Sequence, residues 1–509
     1  MLSLDHSLGV WETRLPILCA LIVVLTLVVS LAVGAYRLAF HPLRRYPGPW
    51  IAALSDLPYL YWTWAGTLQF KIKDFHDRYG EVIRIGPNSL TYRSPQVWRE
   101  IYGTQRRFPK DPSFYVPTPS GPTIVGANDA DHSRIRRLLV NSFADKALRE
   151  QEALIHAHVD LLMETLRAEV SASRQTVDMA QWFEFVTFDI TGDLAFGESF
   201  DCVKSKQYHP WVSIVYPSMK SAEFERSLLV YPVLTPLVKL LLPRRLVQMR
   251  RDHWHMSNEK LQRRLATQTD RKDFLTYILR HNDERGMSHS EIEANAGILI
   301  IAGSQTTSTL LSGCIFHLFQ NPAAYRRLTE EIRGGFECAD QITFQSVAKL
   351  PYLCAVIEET LRVYPPVPAI FPRLVPTGGA VLNGEHVPEG VSVSVAHYST
   401  YRSRTNFAEP DSFLPERWLD EEDPGWNTKF AADRREALQP FSYGSRNCIG
   451  QRLAYAQART ILAKFLWNFD VSLDPQSLAW TDQLSFSIWE RLPLIVRLTT
   501  VSRDQPEIS

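Results

Sequence analysis

Apolar residues run without a charge from Leu15 to Tyr36, "LPILCALIVVLTLVVSLAVGAY". That length spans a bilayer as a helix. The flanks differ in sign: Asp5 and Glu12 outnumber Arg14 before the run, and Arg37, Arg44 and Arg45 follow it. A cleaved secretory signal has a basic start and a shorter apolar core. The positive-inside rule places the N-terminus in the lumen and the body in the cytosol. "HPLRRYPGPW" (41–50) then predicts a stiff, non-helical spacer, because its prolines fix φ and remove donors. Beyond it the pattern is mostly helical. "RIRRLLVNSFADKALREQEALIHAHVDLLMETLRAEV" repeats apolar residues every three or four positions. "PAAYRRLTEEIRGGF" starts on Pro322 and ends near Gly334 and Gly335, and "TFQSVAKLPYLCAVIEETLRVYPPVP" holds two helical segments stopped by Pro365 and Pro366. Alternating patterns are few and short. "GEVIRIGPNSLTYRS" predicts one hairpin, "AVLNGEHVPEGVSVSVAHY" a second turned at Asn383–Gly384, and "LSFSIWERLPLIVRLTT" a last strand pair. The body is one large helical unit with small sheets.

One helix breaks the rule of good core building. In "NAGILIIAGSQTTSTLLSGCIFHLF", Gly303, Ser304, Gln305, Thr306 and Thr307 stand in a row at its centre. Small, polar and β-branched residues are poor helix formers there, so the block asks for another explanation.

Charge and motifs narrow the function. The chain has 509 residues, with 55 basic against 55 acidic, which speaks against a nucleic-acid partner or an acidic substrate. Its six cysteines form no C-x-x-C pair and it carries no N-x-[ST] sequon, which points to a reducing, cytosol-facing body. No G-x-G-x-x-G follows a strand and no phosphate-binding P-loop occurs, so electrons for any redox chemistry must come from another protein.

"PFSYGSRNCIGQRLAYAQART" (440–460) singles out Cys448. Gly444 and Gly450 permit a tight turn and the approach of a flat ligand. Arg446 supplies charge, and the thiol lies just before a helix N-terminus, which favours the thiolate. A thiolate of this kind suits haem iron.

Phe441, Gly444, Arg446, Cys448 and Gly450 together match F-x-x-G-x-R-x-C-x-G, which resembles the haem-binding signature of the cytochrome P450 superfamily. The chain is identified as a member on this and three further landmarks. Glu359 and Arg362 in "EETLR" are similar to the family's buried E-x-x-R pair, completed by Arg417 of "FLPERW"; these are read as structural. "AGSQTT" resembles the segment of the helix that crosses the haem face, with Gly303 leaving room for oxygen, Thr306 as hydrogen-bonding alcohol and Gln305 where most members carry a carboxylate. His132 and Arg136 in "DHSRIRRLL", with Arg373 and Arg446, occupy positions similar to haem-propionate partners, His132 standing where the family often has Trp.

The resemblance implies a mainly α fold with small β-sheets behind one N-terminal transmembrane helix. Its parts would be a lumenal N-terminus (1–14), an anchor (15–36), a basic, proline-rich linker (37–52) and a catalytic domain (53–509). It implies haem b held axially by Cys448, with Phe441 and Gly450 also at the cofactor. NADPH and flavins would act only through NADPH-cytochrome P450 reductase, with cytochrome b5 as a further partner. "FDITGDLAFGESF", "IGPNSLTY" and "RVYPPVP" are similar to fungal members that tailor secondary metabolites such as terpenoids, polyketides or alkaloids. By family position an apolar small-molecule substrate would face Phe108–Gly126, Val367–Phe371 and Leu484–Ile488. The expected location is the endoplasmic reticulum membrane, single-pass, facing the cytosol. The competing readings are a haem-thiolate isomerase or dehydratase that needs no reductase, and a non-catalytic haem-binding protein.

Overall fold

The computed structural model describes residues 5–104, 107–115, 121–227, 230–231, 240, 243–267, 271–280, 282 and 286–501. The longer helices in chain order are α1 (Asp5–Ala39), α2 (Leu57–Trp64), α3 (Leu68–Tyr79), α4 (Asp129–Leu139), α5 (Asp145–Ser171), α6 (Met179–Phe196), α7 (Pro210–Ser227), α8 (Arg244–Ala266), α9 (His289–Gln320), α10 (Pro322–Gly335), α11 (Pro351–Val363) and α12 (Gln451–Asn468). Local chemistry sets their ends. The Asp178 carboxylate accepts from the Ala180 and Gln181 N–H groups to start α6, and Gly197, at φ 69°, stops it. Ser288 and Glu291 form a capping box at α9, and α10 and α11 open on proline.

The core gathers around α5, α6, α9, α11 and α12. α6 is buried on nearly every side, as a helix apolar all round must be. Gly303 of α9 lies against α6: a Cβ there would stand 3.0 Å from Thr191 Cγ2. Its missing side chain is filled by the neighbouring helix, so close packing of α9 on α6 is one demand for glycine at this position.

Two helices among the described residues are long and apolar enough to cross a membrane. Pro16–Ala39 of α1 has mean hydropathy 3.0 and buries nothing, whereas α9 is a core helix, 67% buried over its most apolar window. The spacer after α1 differs from expectation. It is a 3-10 turn (Pro42–Arg45), Leu43 is fully buried, and Arg37 donates to the Leu54 carbonyl at 2.5 Å. The prolines do stop α1, but the segment packs onto the body.

β1 (Val82–Gly86) and β2 (Ser89–Tyr92) form the first predicted hairpin. β3 (Thr176–Asp178) precedes α6, and β4 (Arg373–Leu374) follows the prolines. β5 (Ala380–Leu382) and β6 (Glu385–Val387) turn at Asn383 and Gly384, both left-handed at φ 51° and 81°. β7 (Ser392–Val395) does not join that hairpin. It runs parallel to β2 and antiparallel to β4. The C-terminal strands also part company. β9 (Ser485–Phe486) and β10 (Ile488–Trp489) pair with each other, while β11 (Ile495–Thr500) lies between β3 and β8 (Phe469–Leu473). The long helical run at 134–170 is split into α4 and α5 by a 3-10 turn at Val140–Phe143, where Asn141 and Ser142 favour turn over helix.

Candidate active site

The Cys448 loop is fixed from several sides. Gly444 has φ 75°, and a Cβ on it would sit 1.9 Å from the Tyr102 carbonyl oxygen, so only glycine fits. Gly450 differs: its φ is −87° and a Cβ would meet Phe143 at 3.7 Å and Cys448 Sγ at 4.0 Å, ordinary contacts. Nothing in the chain itself demands glycine there. The Cys448 N–H donates to the Phe441 carbonyl at 2.8 Å, and the Phe441 ring stacks obliquely on Tyr455. Arg136 of α4 donates to the carbonyl and the side-chain oxygen of Asn447, each at 2.7 Å.

Cys448 is an exposed residue, though its thiol lies deep enough to be desolvated. Burial pushes it up, against the Gly450 N–H and the Arg136 guanidinium, which pull it down. The cation acting on the sulfur is therefore Arg136. Arg446, expected in that part, is turned away and donates to Ala127 O at 2.8 Å and to Asp129 at 2.5 Å. The protein alone does not hold a thiolate here; a cation at the sulfur would.

His132, Arg136, Arg373 and Arg446 all line one cavity of about 430 Å³, together with Tyr102 and Ser445. Arg373 is buried, and its Nη1 has no partner among the described residues. Burial and the charges of Arg446, Lys110 and Arg136 push the His132 imidazole down to about 3, so it is neutral at physiological pH. Lys110 was not singled out by the sequence. Burial, Arg446 and Arg373 push its amine down to about 6. Asp129 lines the same cavity and takes up Arg446, so the buried Arg373 guanidinium is the group there that asks for an acceptor.

Glu359, Arg362 and Arg417 are fully buried. Arg362 grips both Glu359 oxygens, at 2.9 and 2.8 Å, and Arg417 Nε donates to the same carboxylate at 3.1 Å. Leu414 N–H and Trp418 Nε1 complete its shell. Burial alone would push the Glu359 carboxyl up; Arg362 and Arg417 outweigh it and hold it down. Arg362 also donates to Tyr401, Pro410 and Ser412 carbonyls, and Arg417 pairs with Asp433. This network ties α11 to the segment that leads to the Cys448 loop.

On α9, Ala302 and Thr306 lie one turn apart, Ala302 exposed and Thr306 half-buried. The Thr306 hydroxyl donates to Ala302 O at 2.7 Å, the ordinary resting bond of a helical threonine. Gln305 is buried, and its Nε2 donates to Glu184 Oε1 of α6 at 2.5 Å. Glu184 also accepts from Tyr208 and pairs with Arg491. The sequence alone gave no sign that this glutamine faces a carboxylate from another helix, because the pairing spans 121 residues.

The three segments expected to face substrate converge. Phe114, then Pro368, Ala369 and Ile370, then Ser485 and Ser487 line a second cavity. The part of the first segment at 116–120 lies outside the described residues. Gln69, Glu223 and Arg226 also line this cavity, so its wall is less apolar than expected.

A profile of the cytochrome P450 family matches residues 47–489. Over 468 residues the chain is 50% identical to cytochrome P450 monooxygenase astJ of Aspergillus oryzae, covering 91% of this chain and 93% of that protein. It is 46% identical to cytochrome P450 monooxygenase astA of Talaromyces wortmannii, over 92% and 94% of the two chains. It is 41% identical to averantin hydroxylase of Dothistroma septosporum, over 91% and 88%. The chain belongs to the cytochrome P450 family, and with it to the monooxygenases among the oxidoreductases. The cofactor of that family is haem b, and its electrons come from a reductase.

Proposed function

We propose that the protein is a membrane-anchored monooxygenase that oxidises a largely apolar small molecule in fungal secondary metabolism. The observation that carries the reading is an exposed Cys448 on a loop beside the cavity lined by His132, Arg136, Arg373 and Arg446, where the buried Arg373 Nη1 has no partner among the described residues. The residues fit haem b. Cys448 would hold the iron through its sulfur, with the Phe441 carbonyl and Gly450 shaping its loop. Arg373, Arg136, His132 and Arg446 would meet the two propionates, Arg373 first because its Nη1 is unpaired. When bound, haem supplies oxygen activation driven by reductase electrons.

The chain's own residues set the stage for that chemistry. Ala302 offers a small surface on α9. Thr306 can exchange its backbone bond for one to a polar group in the open space, so its hydroxyl is the proton-bearing group there. Gln305 is held toward Glu184, which keeps its amide out of that space; its part is to fix the α9–α6 register rather than to give up a proton. Glu359, Arg362 and Arg417 position the loop. The relatives' names support the substrate setting. Residues 1–14 are read as lumenal, 15–36 as the anchor, 37–52 as a packed linker and 53–509 as the catalytic domain in the cytosol at the endoplasmic reticulum. NADPH-cytochrome P450 reductase and cytochrome b5 are the redox partners.

The test is turnover. Membranes bearing the protein and a reductase, fed fungal polyketide and terpenoid intermediates, should consume one of them only with NADPH and O₂. Conversion without reductase would favour the isomerase or dehydratase reading.

A further inference from the structure

The second cavity is small, about 30 Å³. A water needs roughly 10–15 Å³ measured this way, so the space takes one or two atoms of that size. It cannot hold a substrate; it can hold one functional group of a substrate.

Its wall is built for such a group. Gln69 of α3 is 6% exposed and Ser399 is 1% exposed, and both line the cavity. Gln69 Nε2 and Ser399 Oγ have no hydrogen-bond partner among the described residues. Two buried donors left unused on one small cavity are costly, and native structures seldom keep them without use. The charges nearby are already balanced: Glu223 pairs with Arg226 and accepts from Ser487. Ser487 is held at φ 67° between β9 and β10, and Ser485 N–H bonds Gly66 O at 2.9 Å, fastening this hairpin to the turn between α2 and α3. Most of the remaining wall, Phe114, Ile370 and Leu68 among others, is apolar, with Tyr59, Thr63 and Tyr398 adding hydroxyl-bearing side chains; the Thr63 hydroxyl is already spent on Tyr59 O at 2.8 Å.

We infer that this cavity is a subsite for one uncharged, hydrogen-bond-accepting oxygen of the substrate, so the substrate is an apolar skeleton that already carries an oxygen function. A pure hydrocarbon would leave Gln69 and Ser399 unpaired. A carboxylate would find Glu223 in the same wall and Arg226 already paired with it, so no free cation would receive it. The class of reaction that supplies this substrate is therefore one that has already placed oxygen on the skeleton. The inference rests on the reading of Val367–Phe371 and Leu484–Ile488 as substrate-facing.

The experiment uses the haem-loaded full chain and four probes on one skeleton: naphthalene, 1-naphthol, 1-methoxynaphthalene and 1-naphthoate. Binding is followed by the shift of the haem absorption band, and melting temperature is recorded in parallel. The expected result is that the two neutral oxygenated probes bind at least about tenfold more tightly than naphthalene or naphthoate. In the Gln69→Leu/Ser399→Ala double variant that ratio should fall toward one while the melting temperature holds or rises, because apolar groups replace unsatisfied ones. Equal affinities in the wild type, tight naphthoate binding, no binding by any probe, or a ratio untouched by the double variant would overturn it. So would a lowered melting temperature with the ratio intact, the sign of a purely structural role such as holding internal water. NADPH-driven consumption of a probe reports on the proposed function separately, so each reading can fail alone.

Discussion

Single residues decide the charge at this site. Gln305 and Glu184 form a buried amide–carboxylate pair, and the side-chain length of glutamate would keep the contact in Gln305→Glu. Two carboxylates would then face each other, and one must keep its proton. Its folded pKa rises above the unfolded value, so the variant is least stable above that pKa and recovers as pH falls. Melting at pH 5.5 and 8 should show a deficit of several degrees only at the higher pH. The exchanged pair Glu184→Gln/Gln305→Glu should remove the deficit. Lys110 gives the opposite test. Its amine is pushed down to about 6, so between that pH and lysine's ordinary value the unfolded chain binds the extra proton. Haem-depleted protein should lose stability as pH falls from 10 to 6, and Lys110→Met should flatten that slope.

At the scale of elements, the Glu359 network shows what a buried charge cluster does. Glu359 receives five hydrogen bonds. Removing it leaves Arg362 and Arg417 buried without their shared counter-charge, which costs about 3–5 kcal/mol. Glu359→Ala should therefore yield little folded, haem-loaded protein, read as the ratio of haem absorbance to total protein. Local signals served the sequence well where the cause was local: prolines at the starts of α10 and α11, the Asn383–Gly384 turn, the spacing of Glu359 and Arg362. They failed where pairing is long-range. β7 reads as the arm of a hairpin because it follows β6, yet its partners are β2 and β4. β11 reads as the mate of β9 and β10, yet it closes a sheet with β3 and β8. Alternation fixes which face a strand buries, not which strand lies beside it.

The whole molecule combines an apolar N-terminal helix, a helical core and a cavity lined by His132, Arg136, Arg373 and Arg446. The cysteine signature, the four cationic or imidazole side chains and the buried triad were all legible as residue types, and the fold brings His132, Arg136, Arg373 and Arg446 to one cavity. What the sequence could not carry was the second layer: which arginine touches the Cys448 loop, that Gly303 serves helix packing, and that Gln305 answers to Glu184. The anchor makes a simple prediction of its own. A chain lacking residues 1–36 should load haem but move from the membrane pellet to the supernatant, with part still bound through exposed Trp50, Leu57 and Tyr61.

The most direct measurement is the carbon-monoxide difference spectrum of the reduced protein beside that of Cys448→Ala. Wild-type protein should give the characteristic band of thiolate-bound haem. The variant should lose that band and melt no lower than haem-depleted wild-type protein, since what the thiol adds to stability runs through the bound haem. Persistence of the band in Cys448→Ala, or its absence from haem-loaded wild type, would contradict the assignment of Cys448 as the iron ligand and the account built on it.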